Sequence, residues 1–88
     1  MKTSKQFVLR EIAGDTLLIP IGETSSAPQG MILLNAISLL IYQGIDAGND
    51  LHTIVEDILH RYDVEKEQAL SDAKEAISQM ESLGIIEN

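Results

Sequence analysis

The chain has 88 residues, no cysteine, and a net charge of −8 from six basic and fourteen acidic side chains. It is 44% hydrophobic, enough for the core of one small domain over residues 1–88 and too apolar for a disordered tail. The lack of cysteine excludes disulfides and thiolate metal sites. No apolar run nears the ~20 residues that span a bilayer, so a cytoplasmic protein is expected.

Charge is distributed unevenly. Lys2, Lys5 and Arg10 lie in the first ten residues, which hold no acid, whereas Asp46 onward carries eleven acids against Arg61, Lys66 and Lys74. Such a surface repels a phosphate backbone and favours a neutral or basic partner. The only aromatic residues are Phe7, Tyr42 and Tyr62, so the core is expected to be built from Leu, Ile and Val.

Taken in order, Phe7 to Ile12 alternates loosely, with Val8, Arg10 and Ile12 on one face and Phe7 and Leu9 on the other. Ala13-Gly14-Asp15 is a turn signal. Thr16 to Ile21 is a second strand, with Pro20 at its end or facing outward because it cannot donate to a ladder. The pair predicts a hairpin. Gly22 to Gly30 has the composition of a mobile connector, and its glycines lack the Gly-Lys-Ser/Thr of a phosphate loop. Met31-Ile32-Leu33-Leu34 predicts a short third strand, running directly into a helix capped by Asn35.

Helix one is expected from about Ala36 to Gln43, closed by Gly44 with Ile45 packing back. Thr53-Ile54-Val55-Glu56 matches a capping box. It predicts helix two to about Arg61, burying Ile54, Ile58 and Leu59. Asp63 is placed to cap helix three, whose Leu70, Ala73, Ile77, Met80 and Leu83 form one apolar stripe. Gly84 ends it, and Ile85-Ile86 can fold back on the core. The fold class is therefore α+β, a three-stranded antiparallel sheet followed by three helices.

Catalytic chemistry finds little support. His52 and His60 lie eight residues apart with no third ligand at motif spacing, whereas zinc needs three or four convergent ligands. Thr24, Ser25 and Ser26 lack the context of a nucleophile elbow. Acid pairs such as Glu56/Asp57 and Glu65/Glu67 fit helix starts and solvent faces. Met31 and Met80 fit core filling. No catalytic residue, metal or cofactor is assigned.

Binding remains. A meander of three strands leaves Met31-Ile32-Leu33-Leu34 at an edge, without the lysine, proline or inward charge that usually blunts one. Either another element covers that edge or it receives another chain. Strand addition would use backbone bonds for affinity and alternate side chains for specificity, with helix three as the second wall.

Several stretches together resemble the PqqD family, the small proteins of pyrroloquinoline-quinone biosynthesis, and the wider set of recognition elements for ribosomally made, modified peptides. Phe7-Val8-Leu9-Arg10-Glu11-Ile12-Ala13-Gly14-Asp15, followed by Leu17-Leu18-Ile19-Pro20-Ile21-Gly22, resembles the opening hairpin. Leu34-Asn35 with an aromatic seven residues after Asn35 resembles the strand-to-helix junction, although Tyr42 stands where the family often has Trp. Leu51 to Ile58 resembles the second-helix start. Tyr62-Asp63-Val64, Asp72 and Leu83-Gly84-Ile85-Ile86 resemble the last segment.

The resemblance implies a winged helix-turn-helix-like fold. It also implies a non-enzymatic chaperone that presents a precursor's leader peptide to a modifying enzyme, often a radical S-adenosylmethionine enzyme. The leader is then expected to pair with Met31, Ile32, Leu33 and Leu34, with its side chains directed toward Leu70, Ala73, Lys74 and Ile77. Two other classes compete. A winged-helix DNA-binding regulator would need a basic recognition helix, and a small dimerising subunit would pair its third strand with its own copy as a homodimer.

Overall fold

The computed structural model describes residues 1–21 and 30–87. Five strands and three helices follow in the order β1 (Lys2–Thr3), β2 (Phe7–Ile12), β3 (Asp15–Pro20), β4 (Ile32–Leu34), α1 (Ala36–Asp46), α2 (Leu51–Arg61), α3 (Lys66–Ser82) and β5 (Ile86–Glu87). The expected α+β arrangement of a three-stranded antiparallel sheet and three helices is present, with strand order β2-β3-β4. The connector read into Gly22 to Gly30 falls, except for Gly30, outside the described residues.

β2 and β3 form a hairpin closed at Ile12↔Asp15. Ala13 and Gly14 both take positive φ, 53° and 86°, the combination of a type I′ turn, whose twist matches the strands it joins. The inner face carries Phe7, Leu18 and Leu34, all buried in the core. Val8, Arg10, Leu17 and Leu33 fall on the opposite face by the alternation of the strands.

The bond pattern of the sheet can be read from its open end. The Ile21 amide donates to the Gln6 carbonyl at 2.8 Å, one step beyond Phe7↔Pro20 in the register. Bonded and non-bonded pairs alternate in an antiparallel ladder. Phe7↔Pro20 is thus a non-bonded pair, so the missing Pro20 amide breaks no bond to β2. By the same alternation Leu18 and Thr16 turn their polar backbone groups toward β4. There Leu18 faces Ile32, Thr16 faces Leu34 and Leu17 faces Leu33. Ile32 and Leu34 therefore bond to β3, and the amide and carbonyl of Leu33 point outward, away from the sheet.

Asn35 caps α1 as expected, its Oδ1 accepting from the Ser38 amide at 2.8 Å. Asn35→Ala should cost about 0.5–2 kcal/mol. A urea titration checks this, and no change would remove the cap from the account.

The end of α1 differs from the sequence reading. The helix continues through Gly44 to Asp46, and Gly48 (φ 87°) takes the left-handed position. Gly48 donates to the Ile45 carbonyl at 3.0 Å and Asn49 to that of Gly44 at 2.9 Å, the bond pair of a Schellman ending. Gly44 instead permits close helix contact, because a Cβ there would lie 2.8 Å from Cγ1 of Ile54. α2 likewise starts earlier than the capping box implied. Asp50 is its cap, accepting from Thr53 at 2.9 Å, and that bond holds its carboxyl below the usual aspartate range.

α2 buries Ile54, Val55 and Ile58, with Leu59 only partly buried. α3 is preceded by Glu65, which makes no side-chain cap bond, rather than capped by Asp63. Its far end behaves as read: Gly84 (φ 78°) turns the chain, Ile85 donates back to Met80 at 2.9 Å, and Ile85 and Ile86 are buried.

The small β1–β5 ribbon carries no local signal in the sequence. Thr3 pairs with Ile86 and Lys2 with Glu87, and the Thr3 hydroxyl donates to Asp46 at 2.6 Å. The ribbon ties the two ends of the described chain against α1. Tyr42 packs in the core nearby. Burial, reinforced by the Asp46 charge, raises its hydroxyl pKa against the opposing hydrogen bond with Thr3, so the phenol is neutral at neutral pH.

Candidate peptide groove

β4 pairs with β3 on one side only, and no strand flanks its other edge among the described residues. Beyond that edge runs α3. Between them lies a cleft of about 90 Å³ lined by Ile32, Leu33, Leu34, Met80, Leu83 and Ile85, together with Ser38, Ala76 and Gln79. Ser38, Ala76 and Gln79 also line a second cleft of about 450 Å³, whose other walls are Asn35, Ala36, Ile37, Asp72 and Glu75. The two adjoin at these three residues; the stretch beside β4 is the more apolar, and the one beside the start of α1 carries the acidic side chains.

The local sequence explains this shape. Asn35 stops the strand and begins the helix, so one short segment contributes both a strand edge and a helix start. Ala76 is small and only partly buried, which leaves space between α3 and that junction. Asp72, Ala76, Gln79 and Leu83 recur at helical spacing along the same side of α3.

Of the residues singled out from the sequence, Ile32, Leu33 and Leu34 line the groove. Met31 does not belong to β4. It lies in the preceding bend and is 61% exposed, so neither the strand nor the core-filler reading holds for it. On α3 the expected stripe faces the interior: Ala73 and Ile77 are buried in the core, and Leu70 packs against it. Lys74 is exposed. None of these four is among the lining residues of the two clefts. The physical reason is that the middle of an apolar stripe marks the face of a helix that packs; only its last two members, Met80 and Leu83, reach the cleft beside β4, and the rest of the wall is the flank beside the stripe. Asp72, Glu75, Ala76 and Gln79 were missed because three are polar and the fourth is small.

His52 and His60 are both exposed on α2. No helix among the described residues is long and apolar enough to cross a membrane.

The family model described as coenzyme PQQ synthesis protein D (PqqD) matches residues 23–86. No curated protein matches the chain. Two solved structures share its fold. TbiB1, in complex with the TbiA(beta) leader peptide, has a TM-score of 0.84 at 20% identity, covering 100% of this chain and 96% of its own. A lasso peptide synthetase B1, complexed with the leader peptide, has a TM-score of 0.81 at 17% identity, covering 96% and 93%.

Proposed function

The chain belongs to the PqqD family, and we propose on that premise that it binds the leader of a ribosomally made precursor peptide and presents it to a modifying enzyme. The leader adds as a strand to the outer edge of β4, opposite α3. The protein itself performs no chemistry. It acts as a single recognition domain in the cytoplasm, and its enzyme partner is of the radical S-adenosylmethionine type that the family resemblance implies.

The observation that carries this reading is the edge at Leu33. Its amide and carbonyl face outward by the register of the sheet, its strand lacks proline and charge, and a groove opens beside it. A peptide there gains backbone bonds and side-chain burial together. Two proteins of the same fold are described in complexes with leader peptides, which supports the same use here.

DNA binding is disfavoured by charge. α3 sets Lys66 and Lys74 against Glu67, Asp72, Glu75 and Glu81, and nucleic-acid affinity depends on basic neutralisation. A homodimer through β4 would occupy the edge that the peptide needs.

Calorimetric titration with synthetic leaders of short precursor genes neighbouring the chain's own gene tests the proposal. One-to-one binding by one of them is expected. No binding by any leader, with binding of duplex DNA at low salt, would overturn it.

A further inference from the structure

The groove has two ends of different chemistry, and this deepens the leader-peptide reading, on which the following rests. Beside β4 the walls are Ile32, Leu34, Met80, Leu83 and Ile85. Beside the start of α1 they include Asp72 and Glu75. Both carboxylates are exposed. No basic side chain is among the lining residues of either cleft.

We propose that the groove reads the polarity and direction of its peptide: a lysine or arginine at the Asp72/Glu75 end, and a large apolar side chain two or four residues later at the Ile32/Leu83 end. The spacing follows from the ladder. Leu33 offers both outward backbone groups, so the peptide residue opposite it shares its face and points away from the groove. The peptide residues on either side of that one point inward. Inward side chains therefore recur every second residue, about 6.6 Å apart. From Asp72 to Leu83 α3 rises about 16 Å, the length of about five extended residues.

The direction follows from the sheet. Its known pairs are all antiparallel, and a strand continuing that pattern runs opposite to β4. Its earlier residues then lie beside Leu34 and the start of α1, and its later ones beside Ile32. The basic residue precedes the apolar one. Ala76, a small side chain, lines both clefts where they adjoin.

Selection of a display library of random twelve-residue peptides on the intact protein, and in parallel on a D72N/E75Q variant, tests the inference. Both positions are exposed, and circular dichroism checks that the variant is folded. Peptides enriched on the unmodified protein should carry Lys or Arg two or four positions before Leu, Ile, Val, Met or Phe. Replacing that base by Glu in a synthesised hit should weaken binding by about tenfold at low salt, and the loss should shrink as salt rises. The variant should retain the apolar preference and lose the basic one. Equal basic enrichment on both proteins, or the opposite order, would overturn the inference while leaving peptide binding intact. Failure to enrich any peptide would instead overturn the leader-binding reading, and this inference with it.

Discussion

Proline at Leu33 should abolish leader binding in a protein that still folds, whereas proline at Ile32 should weaken the fold itself. Neighbouring amides of a strand point to opposite edges. The Ile21–Gln6 bond and the register through β3 turn the Leu33 amide outward and the Ile32 amide toward Leu18. Leu33→Pro removes the donor that an added strand would use and places the ring where that strand must lie. The loss should be at least about tenfold in affinity, since a backbone bond and its neighbours go together. Ile32→Pro removes a bond between β3 and β4. Circular dichroism and a melting curve separate the two, and titration with a bound leader reads the affinity. Unchanged binding by a folded Leu33→Pro protein would contradict strand addition at this edge.

The second large effect divides α3 into two faces. Ile77 is 8% exposed, and its neighbours Ala73 and Met80 on the same face are buried as well. Ile77→Ala should cost about 2–5 kcal/mol through lost burial and the cavity left behind. That is a large part of the ~4–13 kcal/mol expected for a chain of this length. Its effect on leader affinity, measured where the variant is folded, should be small. Gln79 lies on the flank beside that face, exposed and lining both clefts. Gln79→Ala should change stability by less than about 0.5 kcal/mol and reduce leader affinity instead. Urea unfolding and calorimetric titration of both variants check the division. The reverse pattern would mean that the faces of α3 have been misassigned.

The elements themselves were legible because their signals are local. Asn35 after four apolar residues marks both the end of a strand and the start of a helix, and Gly84 before Ile85-Ile86 marks a helix end with a hydrophobic return. Boundaries failed where two signals competed. Gly44 looked like a stop, yet its missing side chain serves the contact with Ile54, and the stop lies at Gly48. Thr53 and Glu56 looked like a capping box, yet Asp50 three residues earlier supplies the cap.

The candidate groove was legible only in part. The edge of β4 could be inferred because a meander of three strands leaves the third beside only one neighbour, and its lack of charge or proline marked that edge as unblunted. Of the facing residues of α3 only Met80 and Leu83 belonged to the periodic stripe, since periodicity reports which face is buried, and Ala73 and Ile77 were on it. The groove wall carries Asp72, Glu75 and Gln79, which in sequence read as ordinary solvated helix. The β1–β5 ribbon pairs residues from opposite ends of the chain over two positions each, too few for any alternating pattern to appear.

In the proposed complex the backbone of Leu33 receives the peptide. Residue-resolved amide hydrogen exchange of β4, with and without a saturating leader peptide, tests it most directly. The amides of Ile32 and Leu34 already bond to β3 by register and should change little. The Leu33 amide should exchange freely in the unbound protein and slow at least about tenfold in the complex, as a newly bonded amide does. An unchanged Leu33 amide at saturation, with the peptide demonstrably bound, would contradict it.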